Sequence, residues 1–165
     1  MKKVLDKLPE GLRNTAFVRL FGLTKVPMIF WLRPTVIELS EEVTAIKIPL
    51  SRRSKNHLNS MYFGALACGA DLAGGFAAMK KTMDKGKRVS LAFKDFHAEF
   101  LKRAEGDTVF TCKQGKEIDE FVDMVLASDE RHNLPLKITA TCPDVDDEPV
   151  AEFTITLSLK RKSKK

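Results

Sequence analysis

From Ser60 to Met79 the chain reads SMYFGALACGADLAGGFAAM, with one ionisable carboxylate, Asp71, and no basic residue. A run of this length is too long for an ordinary strand, and its Ala, Leu and Met content favours a helix. Its four glycines, Gly64, Gly69, Gly74 and Gly75, would each cost an exposed helix roughly 1 kcal/mol relative to Ala. They suit a helix whose backbone is approached closely by its neighbours. The reading is therefore a helix buried nearly all round, wrapped by other elements, with a single acid set into it. Ser60 is placed to cap its start. Lys80, Lys81, Lys85, Lys87 and Arg88 crowd its end, where cations suit the negative pole of the macrodipole. The length would permit a membrane span, but Asp71 near the centre would cost roughly 2.5–3.5 kcal/mol. Asp71 is then either a working acid or a structural one that holds a neighbour.

The whole chain, 165 residues, has the composition of a soluble globular protein, 44% hydrophobic and 30% charged. That length fits one domain with a substantial core. Met1-Lys2-Lys3 is followed by interspersed charges and not by an apolar segment, so no cleavable leader is expected and the location expected is cytoplasmic. Cys68, Cys112 and Cys142 are scattered, with no C-x-x-C and no neighbouring His pair. They suit reduced thiols better than a disulfide framework or a zinc site, so neither a metal nor a cofactor is expected. Of the formal charge of +6, five come from Lys160, Arg161, Lys162, Lys164 and Lys165, which leaves +1 for everything else. A basic end after a strand is usually a solvated one. No aromatic residues interleave with it, so no specific nucleic-acid partner is expected.

Ahead of the apolar run, Val4, Leu5, Leu8, Leu12, Phe17, Leu20, Phe21 and Leu23 are spaced as a helical arm that Pro27 interrupts. Met28 to Leu32 form an apolar cluster that Arg33-Pro34 should end, with Arg33 biased towards an extended conformation. Val36 to Leu39 and Val43 to Ile48 read as a hairpin, with Pro49 at a strand end. Ser51 to Asn56 is a polar loop. Beyond the run, Val89, Leu91 and Phe93 alternate in one phase and Phe96, Ala98 and Phe100 in the other, which predicts a β-bulge at Lys94-Asp95. Val109 to Cys112 is expected to be the hairpin partner of that strand, through a turn at Glu105-Gly106-Asp107. Ile118, Phe121, Val122, Val125 and Leu126 mark one face of a helix. Leu136 to Cys142 and Phe153 to Leu159 alternate cleanly about the acidic turn Asp144 to Pro149. The predicted class is α+β, with about six mostly antiparallel strands curved around one long helix.

The segment NHLNSMYFGALACGADLAGG, Asn56 to Gly75, and the terminal strand PVAEFTITLSLK resemble the hotdog fold of the thioesterase-like superfamily. The likeness is to an uncharacterised branch of it with an N-terminal helical extension. It implies a single domain over 1–165, with an arm at 1–33, a hotdog core at 34–160 and a basic tail at 161–165. It also implies a homodimer, or a dimer of dimers, with active sites at the subunit boundary. In such enzymes an acid on the central helix activates water or attacks the thioester, and a backbone N–H near the start of the other subunit's helix binds the carbonyl oxygen. A helix start suits that role, because it offers unsatisfied donors and positive potential.

On this likeness Asp71 is the catalytic acid and Asn56 matches an Asn that precedes it. A His-Gly-Gly of the phenylacetyl-CoA thioesterase type would fall on Tyr62-Phe63-Gly64, so only the second glycine is kept. The Phe63 N–H is the candidate oxyanion donor, with Tyr62 and Gly64 beside the substrate. Arg52 and Arg53, with Lys55, or else Lys80 to Arg88, are candidate contacts for the phosphates of a coenzyme A carrier. His57 precedes Asp71 by the separation seen in hotdog hydroxyacyl dehydratases, without their Pro-Gly. Three functions are therefore carried forward. They are acyl-CoA or other acyl-thioester hydrolysis, hydration or dehydration by His57 and Asp71, and a non-catalytic acyl-binding or scaffold dimer.

Overall fold

In the computed structural model, residues 9–162 are described. The expectations for Val4, Leu5 and Leu8, and for Lys164 and Lys165, lie outside that range. Two helices come first, α1 (Glu10–Lys25) and α2 (Pro27–Leu32), followed by the hairpin β1 (Thr35–Leu39) and β2 (Thr44–Ile48). The long helix α3 (Phe63–Asp84) leads to β3 (Val89–Phe100) and β4 (Thr108–Cys112). A second amphipathic helix, α4 (Gly115–Leu126), precedes the long hairpin β5 (Arg131–Cys142) and β6 (Asp146–Arg161). The six strands form one antiparallel sheet in the order β1-β2-β4-β5-β6-β3. The sheet curves around α3, which touches every strand from β2 across to β3.

The glycines of α3 are where the sheet comes closest. A Cβ on Gly69 would collide with the Phe110 ring of β4, and one on Gly74 would stand 2.5 Å from the Ile155 side chain of β6. Gly75 faces Phe93 and Leu91 of β3. The core is built from these contacts, with Phe76, Phe110, Ile155 and Leu157 among its fully buried side chains. α1 closes the open side of the helix, and its Phe17 ring lies 6.0 Å from Phe76.

The change of phase in β3 is a bulge. Phe93 pairs with Leu157 and Phe96 with Ile155, so β3 carries one residue more than β6 over the same span. α4 buries Ile118, Phe121, Val122 and Val125, the face its spacing predicts. Three expectations need correction. β4 is not the partner of β3: it pairs with β2 and β5, while β3 pairs with β6 at the far edge. The chain crosses the end of the sheet between them, with Leu101 and Lys102 N–H both donating to the Val150 carbonyl and Met61 N–H donating to the Ala104 carbonyl. Alternation identifies a strand but not its neighbour.

Arg33 ends α2 in the left-handed region, at φ 53° and ψ 51°, and is not extended. Its N–H closes the turn on the Phe30 carbonyl. The Arg19 guanidinium donates to the Arg33 and Pro34 carbonyls and to the Thr35 hydroxyl, holding the strained peptide in place. Ser60 does not cap α3. The helix begins at Phe63 with no side-chain cap, because the Ser60 hydroxyl is engaged with Asn56.

Candidate active site

The start of α3 is set by a tightly bonded loop. The Ser54 hydroxyl donates to the Pro49 carbonyl at 2.6 Å and accepts from Ser51 N–H at 2.9 Å. The Ser54 carbonyl accepts from Tyr62 N–H at 2.7 Å. Asn56 organises the next turn, its carbonyl oxygen accepting from Leu58 N–H and from the N–H and hydroxyl of Ser60. Its amide donates back to the Ser60 hydroxyl. Asn56 is thus occupied in folding the loop. At the helix start, the Tyr62 carbonyl accepts from Ala65 and Leu66 N–H. The Phe63 and Gly64 N–H groups have no acceptor among the described residues. They are the open donors that a helix N-terminus leaves. The Tyr62 ring leans over Gly64 and meets Phe63 edge-on at 4.9 Å, and both aromatic rings are exposed.

Asp71 lies two turns further on, half-buried in the otherwise apolar helix. Burial pushes its carboxyl up to about 6, and among the described residues no cation or hydrogen-bond donor meets it. Gly75, one turn later on the same face, packs towards Phe93 and Leu91. Asp71 therefore looks along the side of α3 that borders β3. β3 is the last strand of the sheet, and no described strand pairs with its outer edge. β3 exposes the apolar Leu91, Phe96 and Phe100, at 36%, 47% and 54%, alongside the polar Lys94, Asp95, His97 and Glu99. One turn before the acid is Cys68, whose thiol lies 3.2 Å from the Met28 sulfur of α2. Burial, and then the charge of Asp71, push that thiol up, so it acts as packing and not as a nucleophile. All three cysteines are free.

The remaining candidates are spread out. His57 is exposed in the loop before α3 and has no hydrogen-bond partner among the described residues. The structure gives no contact between it and Asp71. Arg52 and Arg53 are exposed in the same loop without a carboxylate partner among the described residues, and the Arg53 guanidinium sits 4.7 Å over the Trp31 ring. Three of the basic residues at the far end of α3 are engaged. Lys80 pairs with Asp84 at 2.5 Å, Lys81 with Asp119 at 2.9 Å, and Lys85 with Asp123. They pin α3 to α4. Met28 and Trp31, which border the site from α2, were not singled out by the sequence, where they read only as members of an apolar cluster. Among the described residues no group of His, Cys, Asp and Glu is arranged to hold a metal.

Residues 13–159 match a protein family described as a domain of unknown function, DUF4442. The chain belongs to that family. No curated protein matches it. Solved structures do. A thioesterase from Haemophilus influenzae is 11% identical, with a TM-score of 0.64, covering 94% of this chain and 93% of its own. A mutant thioesterase from Pseudomonas aeruginosa is 12% identical, with a TM-score of 0.65 and coverages of 94% and 97%. A Chlorobaculum tepidum protein of unknown function superposes with a TM-score of 0.76 at 12% identity, covering 92% of this chain and 97% of its own. At such identities the likeness is one of fold: the chain has the hotdog fold, with an N-terminal helical extension.

Proposed function

We propose that this chain hydrolyses acyl thioesters, with acyl-CoA as the first class to test, and that it does so as a homodimer. The observation that supports the reading is Asp71, a half-buried carboxylate in an apolar helix that no cation or donor meets among the described residues, one turn from the Gly75 that packs against the edge strand β3. An acid raised towards neutrality is a stronger base once ionised than an ordinary carboxylate.

Phe63 and Asp71 are about 12 Å apart along the helix at 1.5 Å per residue, too far to act on one carbonyl. Two copies of α3, antiparallel across a twofold, bring the acid of one to the helix start of the other. In that arrangement Asp71 takes a proton from water while the water oxygen attacks the thioester carbonyl carbon. The oxyanion that forms is held by the open Phe63 and Gly64 N–H groups of the second copy. Collapse of the intermediate breaks the C–S bond, and the proton on Asp71 passes to the departing thiolate. Arg52, Arg53 and Lys55 have no carboxylate partners among the described residues and are free to meet carrier phosphates. Lys80, Lys81 and Lys85 are less suited, because acids already neutralise them.

The test is free-thiol release from short, medium and long acyl-CoA substrates. Release that depends on Asp71 supports the reading. No release from any of them turns it towards an acyl-binding dimer, for which the exposed Phe63 ring would crowd the carbonyl site.

A further inference from the structure

α1 leaves part of its apolar surface uncovered. Its buried positions are Asn14, Thr15, Val18 and Gly22, while Leu12, Leu20 and Leu23 face solvent at 57%, 43% and 55% exposure. The inner side is small and polar where β1 and α2 come close, with Phe17, Val18 and Phe21 turned to the core. Thr15 accepts from Val36 N–H at 2.9 Å, and a Cβ on Gly22 would stand 2.6 Å from the Phe30 nitrogen. The apolar ridge continues over the turn into α2, whose buried residues are Ile29 and Leu32 and whose exposed ones include Met28, Phe30 and Trp31. An apolar surface of this extent on a helical knuckle calls for an occupant.

Its charge says which kind. Between Glu10 and Glu38 the sequence has no acidic residue, and it has none between Glu42 and Asp71. Lys25, Arg33 and Arg53 are exposed here with no carboxylate partner among the described residues, and Arg53 rests on Trp31. Apolar and aromatic side chains ringed by unpaired cations are what an interfacial helix presents to an anionic bilayer. No described helix is long and apolar enough to cross a membrane, so the contact is peripheral. We propose that the α1–α2 knuckle docks on anionic lipid surfaces, inserting Leu20, Leu23 and Trp31 to headgroup depth while Lys25 and Arg33 meet lipid phosphates. This inference does not rest on the thioesterase reading.

Trp31 is the chain's one tryptophan, so its fluorescence reports the docking directly. The full chain is titrated with vesicles of equal parts phosphatidylcholine and phosphatidylglycerol, and with phosphatidylcholine alone. With the anionic vesicles, Trp31 emission should move to the blue and be quenched by bromine-labelled acyl chains, and salt should weaken the effect. Leu20→Ser/Leu23→Ser should weaken partitioning by roughly tenfold or more. Lys25→Glu should weaken it several-fold, with the melting temperature of each variant recorded to show that it folds. Absence of a shift with anionic vesicles at low salt would overturn the proposal. So would equal binding by the folded Leu20→Ser/Leu23→Ser variant. Emission that moves with protein concentration alone, without lipid, would also overturn it by making a second copy of the chain the occupant.

Discussion

At Asp71, chemistry and stability pull in opposite directions. In the folded chain its carboxyl is raised to about 6 from an ordinary value of 3.8. Between those two pH values the folded state holds a proton that the unfolded state has lost, so stability falls as pH rises through this window. Above pH 6 the ionised acid costs the fold roughly 2–3 kcal/mol, an upper bound because Asp71 is partly solvated. Asp71→Asn should therefore raise the melting temperature at pH 7.5, and the gain should vanish at pH 4 and below. A structural acid with a buried partner would give the reverse, a loss of stability at neutral pH. Activity should follow the ionised form, so kcat/KM should climb with pH through about 6 and then level. Asp71 was legible in the sequence because it is the one charge in a long apolar run. Asn56 was legible only as a position. That its amide is spent on Leu58 and Ser60 depends on loop geometry that spacing does not carry.

Among the elements, α3 shows how a poor helix sequence becomes a good core. Ala is favoured over Gly by about 1 kcal/mol in a helix interior, yet a methyl group on Gly69 has the Phe110 ring in its way. Gly69→Ala should thus destabilise by about 1–3 kcal/mol, the usual cost of overpacking, read as a lower urea midpoint with an unchanged slope. The glycines mark this helix as enclosed in the sequence itself. The bulge in β3 was equally legible, since a change of alternation phase has few other causes. The partner of β4 was not. Strand order depends on which long-range pairing buries most surface, and the β3–β4 connection, crossing the sheet end through Ala104, has no signature in local pattern. The left-handed Arg33 escaped for a similar reason: Arg19, fourteen residues earlier, supports it.

At the scale of the whole molecule, the outer edge of β3 is a sheet edge with which no described strand pairs. An unpaired edge strand is a template for pairing with another chain, and its symmetric use would join two sheets and bring two α3 helices together. Light scattering at micromolar concentration should give the mass of a dimer. Phe96→Lys, placing a charge on that edge, should shift it towards monomer and lower thioester hydrolysis with Asp71 intact. A monomeric wild type that hydrolyses thioesters at full rate would sever the two ideas. Whether Asp71 of α3 does chemistry decides between a hydrolase and a binding dimer. The direct measurement is free-thiol release from the acyl-CoA panel at pH 7.5 by wild type and by folded Asp71→Asn. The account predicts turnover by the wild type on at least one chain length and loss of most of it in the variant. Equal rates for the two, or no turnover by either, would contradict it.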